Sequence, residues 1–218
     1  MLSSEQRQYL TATAQRWANN LDMDWIAVLN ERGISEVTAR RFQLGVIDRE
    51  DGAYAHHAGW LSIPYLAANG EVVGFKFRRP DNGVPKYGQP TGQKSHLFNV
   101  ADVLLPSDTI AICEGELDTI VASTMLPAVG VPGVANWKRH FARLLDGYRT
   151  VLLLADNDVK DDGTNPGMEL ARRITQEVMN TRIIVFDEGM DLTDYYVAYG
   201  RDATLSRLGV SPIVSELQ

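Results

Sequence analysis

The sequence is short of the residues that would mark it as secreted, membrane-bound or zinc-ribboned. Its 218 residues include one cysteine, Cys113. A single thiol closes no internal disulfide, and His56 and His57 stand without the Cys/His partners at close spacing that a zinc ribbon needs. No apolar run approaches the roughly 18 residues of a membrane span, and Met1-Leu-Ser-Ser-Glu-Gln-Arg-Gln has no signal-peptide apolar core. A cytoplasmic location with no membrane partner is therefore expected. The sequence shows no internal repeat, low-complexity tract or disordered linker, so its length serves one good core or a core with a smaller satellite. A net charge of −7 speaks against a protein that merely coats nucleic acid.

What is present is an uneven distribution of charge. Between Glu71 and Val100, Lys76, Arg78, Arg79, Lys86 and Lys94 are opposed only by Glu71 and Asp81, a basic strip in an acidic chain. Elsewhere the acids come in pairs: Glu114 with Asp118, Asp156 with Asp158, Asp191 with Asp194. Each pair follows a short apolar run: Thr109-Ile-Ala-Ile-Cys113, Thr150-Val-Leu-Leu-Leu-Ala155 or Arg182-Ile-Ile-Val-Phe186. Runs of this length and composition read as buried strands, and buried strands alternating with helical stretches read as a parallel sheet. Ligands of such sheets bind beyond the carboxyl ends of the strands, so the three acidic pairs can converge there. Clustered carboxylates repel one another unless a hard divalent cation neutralises them. The pattern predicts a magnesium or manganese site that handles phosphates, beside a surface that holds a polyanion.

The remaining pattern places these features. From Ser4, read as a helix cap, to about Arg41 the chain is helical; Gly33 stops one helix and Ser35 starts a short one. Gln43 to Ile47 reads as extended. Trp60 to Leu66 and Glu71 to Phe77 flank Asn69-Gly70, a strong hairpin signal, and Pro80-Asp-Asn-Gly83 is a second turn. Beyond Asp108, helical stretches begin at Gly115, Trp137 and Gly167. Trp137, Tyr195 and Tyr196 sit among apolar residues at helical spacing and read as core, as does Cys113. The resulting division is a helical segment over 1–50, a basic antiparallel subdomain over 51–105, an α/β domain over 106–200 and a short helical remnant over 201–218.

Taken singly, each acidic pair has an ordinary explanation: acids favour helix N-termini, and Asp158 to Gly163 could be a solvated loop, though its spacing does not fit an EF-hand. Together they are more specific. Cys113-Glu114-Gly115-Glu116-Leu117-Asp118, Ala155-Asp156-Asn157-Asp158 and Gly189-Met190-Asp191-Leu192-Thr193-Asp194 resemble the TOPRIM domain of bacterial-type primases, topoisomerases and some nucleases, over roughly Asp108 to Gly200. Upstream, Gly59-Trp-Leu-Ser-Ile-Pro-Tyr65, Gly70-Glu-Val-Val-Gly-Phe-Lys-Phe-Arg78, Pro85-Lys-Tyr87 and Lys94-Ser-His-Leu-Phe-Asn-Val100 fall in the order of the basic half of a DnaG-type primase core. Gly33 to Phe42 resembles the helical segment before it.

The resemblance implies a parallel-sheet TOPRIM domain with helices on both faces, preceded by a small α+β basic subdomain. It implies a DNA primase-type nucleotidyltransferase that makes short RNA primers on single-stranded DNA from ribonucleoside triphosphates. By motif match Glu114, Asp156 and Asp158 are catalytic and, with Asp118, Asp191 and Asp194, hold Mg2+ or Mn2+. Lys76, Arg78, Arg79, Lys86, Tyr87 and Lys94 hold template and nucleotide, with Gln89 a weaker match. The short chain, without zinc-binding or helicase-docking regions, leads to the expectation of a phage or mobile-element origin, and of a zinc-domain protein or replicative helicase acting in trans. A TOPRIM nuclease and a non-catalytic single-stranded-DNA-binding accessory protein remain the alternatives; a topoisomerase is disfavoured because no nucleophilic tyrosine domain is present.

Overall fold

The computed structural model describes residues 2–81 and 83–210. The chain divides between His96 and Leu97 into two compact units.

The first unit opens with α1 (Ser4–Asn19), α2 (Met23–Asn30) and α3 (Glu36–Arg41). The cap of α1 is Ser3, one residue ahead of the expected Ser4. Ser3 Oγ accepts from Gln6 N at 3.1 Å while Gln6 Oε1 accepts from Ser3 N at 2.8 Å. The third residue beyond Ser4 is Arg7, which cannot return that second bond, so the capping box selects Ser3. Ser35 caps α3 as expected, its Oγ accepting from Thr38 N at 3.2 Å.

Four strands follow, β1 (Gly45–Val46), β2 (Leu61–Leu66), β3 (Val72–Arg78) and β4 (Tyr87–Gly88), antiparallel and in that spatial order. The extended run expected from Gln43 starts at Gly45, because Gln43 is left-handed with φ +52. The β2–β3 hairpin turns at Asn69-Gly70 as its sequence predicts, Gly70 taking φ +82. Helix α1 packs on this sheet, and a Cβ on Gly45 would stand 2.2 Å from the Trp17 carbonyl carbon. That contact lets Trp17 join Phe75 and Phe77 in a fully buried cluster, its ring centroid 4.8 Å from Phe75.

The second unit alternates β5 (Thr109–Cys113), α4 (Glu116–Ala122), β6 (Ala128–Gly130), β7 (Thr150–Ala155), α5 (Pro166–Thr175), β8 (Thr181–Val185) and α6 (Leu192–Leu208). Its strands are parallel in the order β6-β5-β7-β8. On one face, alternate residues Ile110, Ile112, Val151 and Leu153 share a core with Leu170, Ala171 and Ile174 of α5. On the other, α4 packs against β5, β6 and α6. Two details depart from the sequence reading. The helix expected from Trp137 is a 3-10 segment, Arg139–Leu145. Tyr195 and Tyr196, expected in the core, are half-buried, Tyr195 lying between Phe186 and Tyr199 with centroids at 5.5 and 4.6 Å. Trp137 and Cys113 are buried as expected. Helix α6 breaks at Gly200, with φ +82. The expected remnant over 201–218 begins within α6 and extends beyond residue 210, outside the described residues. Among the described residues no helix is long and apolar enough to cross a membrane.

Candidate functional site

Parallel pairing of β5, β7 and β8 carries all three chain exits to one edge of the sheet. Glu114 follows the last residue of β5, Asp156 the last residue of β7, and Asp191 caps α6 after β8. Helix α5 enters this edge through a residue without a side chain. A Cβ on Gly167 would meet Asp156 O at 2.7 Å and Glu114 Oε2 at 2.8 Å, so glycine is required for the helix start to come this near.

The electrostatics follow from that crowding. Glu114 Oε2 is buried with no hydrogen-bond partner. Burial, then the charge of Asp118, raise the Glu114 carboxyl above its ordinary value, while Lys160 and a hydrogen bond with Asp156 act in the opposite sense. Burial first, and then the charges of Asp118, Glu114, Asp191 and Asp158, push Asp156 up to about 9. Carboxyl groups in this state share protons because they cannot all ionise together.

A hard divalent cation fits these residues chemically: the donors are all oxygen, one is buried without a partner, and the local field is negative. The carboxylates lie within electrostatic reach of one another, yet among the described residues no three His, Cys, Asp or Glu side chains form a ready-made metal cluster.

The six acids are not equivalent. Asp118 is buried, and its Oδ1 accepts from Thr193 N at 3.1 Å and from Thr193 Oγ1 at 2.6 Å, tying α4 to the first turn of α6. Asp158 is exposed and pairs closely with Lys160. Asp191 Oδ1 accepts from Asp194 N at 2.7 Å as the cap of α6, and Asp194 itself is exposed on the first helical turn. Neither Thr193 nor Lys160 stood out in the sequence. Lys160 lies two residues from Asp158, a spacing that could have flagged it; Thr193 offers no local signal, being 75 residues from its partner.

The basic strip separates into inner and outer parts. Strand pairing sets Arg78 opposite Tyr87, and the buried Arg78 donates from Nη1 to Tyr87 Oη at 2.6 Å. The cationic groups of Lys76, Arg78 and Lys86 lie 4.7, 5.4 and 5.9 Å from the Tyr87 ring centroid. Arg79 is held by both oxygens of Asp81, at 2.6 and 3.0 Å, and stacks over Trp60; the hydrogen bond from Arg79 lowers the Asp81 carboxyl to about 2. Lys86, Gln89 and Lys94 are exposed.

Comparison with known proteins gives a consistent picture. No family model matches the chain. The gene 57 protein of Mycobacterium phage D29 is 40% identical over 157 residues, which cover 70% of this chain and 99% of that one. The DNA primase of Staphylococcus aureus strain COL is 24% identical over 175 residues, 74% of this chain but 29% of the primase. Among solved structures, the zinc-binding and RNA polymerase domains of Aquifex aeolicus primase match with a TM-score of 0.77 at 18% identity, over 95% of this chain and 62% of that one. The RNA polymerase domain of Mycobacterium tuberculosis primase DnaG, in complex with double-stranded DNA, matches with a TM-score of 0.73 at 19% identity, over 96% and 81%. The chain thus spans under a third of the staphylococcal primase.

Proposed function

We propose, for a chain that belongs to the family of the mycobacteriophage D29 gene 57 protein and has the catalytic-core fold of DnaG-type primases, that it is a primase-like nucleotidyltransferase working on single-stranded DNA. The second unit is read as a TOPRIM domain. The observation that carries the proposal is the set of mutually perturbed carboxyls, Glu114 and Asp156 foremost, at the carboxyl ends of adjacent parallel strands.

In the proposed reaction the 3′-hydroxyl of one ribonucleotide attacks the α-phosphate of a ribonucleoside triphosphate. The new O–P bond forms as the α–β bridge breaks and pyrophosphate leaves. Glu114, Asp156 and Asp158 would hold Mg2+ or Mn2+, with Asp191 and Asp194 near; the cation, when bound, lowers the pKa of the attacking hydroxyl and offsets charge on the leaving phosphates. Glu114, half-buried with one unpartnered oxygen, is suited to take the hydroxyl proton. Asp118 acts at one remove, because Thr193 already occupies its Oδ1. Lys76, Lys86 and Lys94 would neutralise template or triphosphate as point charges. Arg78 positions Tyr87, and Arg79, closed on Asp81, contributes shape.

A zinc-containing start-site reader or a replicative helicase is proposed as a partner. The test is incorporation of labelled ribonucleotides on single-stranded DNA, with and without Mg2+ or Mn2+, beside extension of a supplied RNA primer and a nuclease control. Metal-dependent extension that Asp156→Asn abolishes supports the proposal. DNA degradation in its place would establish a nuclease, and DNA binding with no turnover under any metal would establish an accessory protein.

A further inference from the structure

The 3-10 segment Arg139–Leu145 lies on the α5 side of the parallel sheet and carries a charge pattern foreign to its acidic surroundings. Over residues 138–149, Lys138, Arg139, Arg143 and Arg149 are opposed by Asp146 alone. Phe141, Ala142 and Leu145 are buried in the core, which leaves Arg139, His140 and Arg143 outside. With Ala142, Asp146 and Glu177 these three line a surface cavity of about 590 Å³.

The cations here are not already spent. Arg149 pairs with Asp108 at 3.5 Å, whereas among the described residues neither Arg139 nor Arg143 has an ion-pair or hydrogen-bond partner. One carboxylate of the lining is fixed in place, since Glu177 Oε2 accepts from the buried Trp137 indole at 2.8 Å. Asp146 and Glu177 precede the first residues of β7 and β8, Thr150 and Thr181. The cavity therefore lies toward the strand starts, away from Glu114 and Asp156 at the strand ends, and is separate from the carboxylate site.

Two guanidinium groups four residues apart suit phosphate oxygens, which their planar forks bind in pairs. The lining also holds two carboxylates, Asp146 and Glu177, which repel a bare phosphate, so a ligand must also bring hydrogen-bond donors. The volume is within the range of small-molecule sites, about 300–1,000 Å³. We infer that this cavity binds a nucleoside polyphosphate, its phosphates on Arg139 and Arg143 and its ribose hydroxyls or base amino groups on Asp146 and Glu177.

The test is calorimetric titration of ATP in EDTA, which keeps divalent cations from the carboxylate site. The R139A/R143A variant changes two exposed side chains and should melt like wild type while binding ATP at least tenfold more weakly. R139K/R143K should fall between, since lysine keeps the charge and loses the fork. Equal ATP affinity in R139A/R143A and wild type would overturn the inference. So would an R139A/R143A-sensitive site that takes inorganic triphosphate or a short oligothymidylate as tightly as ATP, because that is anion or backbone capture without nucleoside recognition. Neither result depends on primer synthesis, so the site stands or falls apart from the proposed reaction.

Discussion

Removing one carboxylate should make the metal-free protein more stable. Asp156 has a folded pKa of about 9 against an ordinary 3.8, with burial and four neighbouring acids responsible. Between those values the folded chain keeps a proton that the unfolded chain releases, so stability is fully present below about pH 4 and is lost progressively as pH rises toward 9. At about pH 7.5 the interval from 3.8 is about 3.7 units, or about 5 kcal/mol at about 1.36 kcal/mol per unit. That figure is an upper bound, because Glu114 shares the same repulsion; half of it, about 2.5 kcal/mol, corresponds to about 5–10 °C in a chain of this length. Asp156→Asn retains the shape and deletes the titration. The assay is thermal unfolding by circular dichroism in EDTA at pH 5 and pH 8. Wild type minus variant should be slightly negative at the lower pH, where the interval from 3.8 is about 1.2 units, and several degrees more negative at the higher, where it is about 4.2 units. Millimolar Mg2+ at pH 8 should then raise wild type by mass action, about 2.7 kcal/mol at a hundredfold excess over Kd, and raise the variant far less. A wild-type minus variant difference that is the same at both pH values would refute the reasoning, as would equal Mg2+ stabilisation of both proteins.

Three further outcomes follow from the geometry. Gly167→Ala places a methyl 2.7 Å from Asp156 O and 2.8 Å from Glu114 Oε2; it should cost about 1–3 kcal/mol by overpacking and weaken Mn2+ binding measured by paramagnetic relaxation. Asp118→Ala strands the Thr193 amide and hydroxyl, which should lower stability in denaturant titration by about 1–3 kcal/mol even with metal absent; an effect seen only with Mg2+ present would make Asp118 a ligand first. Lys86→Ala should flatten the salt dependence of single-stranded DNA binding by about 0.7 in log K against log salt, read by fluorescence anisotropy, and an unchanged slope would remove that residue from the nucleic-acid surface.

Much of the frame was legible because its signals are local. The runs at 109–113 and 150–155 coincide with β5 and β7, Ser35 caps α3 and Asn69-Gly70 turns a hairpin, each decided by residues within a few positions of one another. Strand β6 was not legible: Ala128–Gly130 is too short for a periodicity, and it fits because Gly130 lets Thr119 Oγ1 approach within 2.4 Å of where a Cβ would be. The candidate site divides in the same way. Glu114, Asp156 and Asp191 could be placed from strand ends alone, whereas the tie between Asp118 and Thr193 depends on helix packing that sequence spacing does not carry. Counting charges also treated Arg78 as surface, and it was the β3–β4 register that set it against Tyr87 and buried it.

That division of the basic strip has a mechanical consequence. Both arginines already have partners in the protein, the buried Arg78 a phenol and the surface Arg79 a carboxylate, and the exposed cations of the strip are the lysines Lys86 and Lys94. A lysine offers a point charge on a flexible stem and no planar fork to lock onto one phosphate. On the proposed function, a strand held this way would meet nearly the same attraction at every step of one nucleotide, so the surface would act as a bearing more than as a clamp, with the strand's position along it set elsewhere.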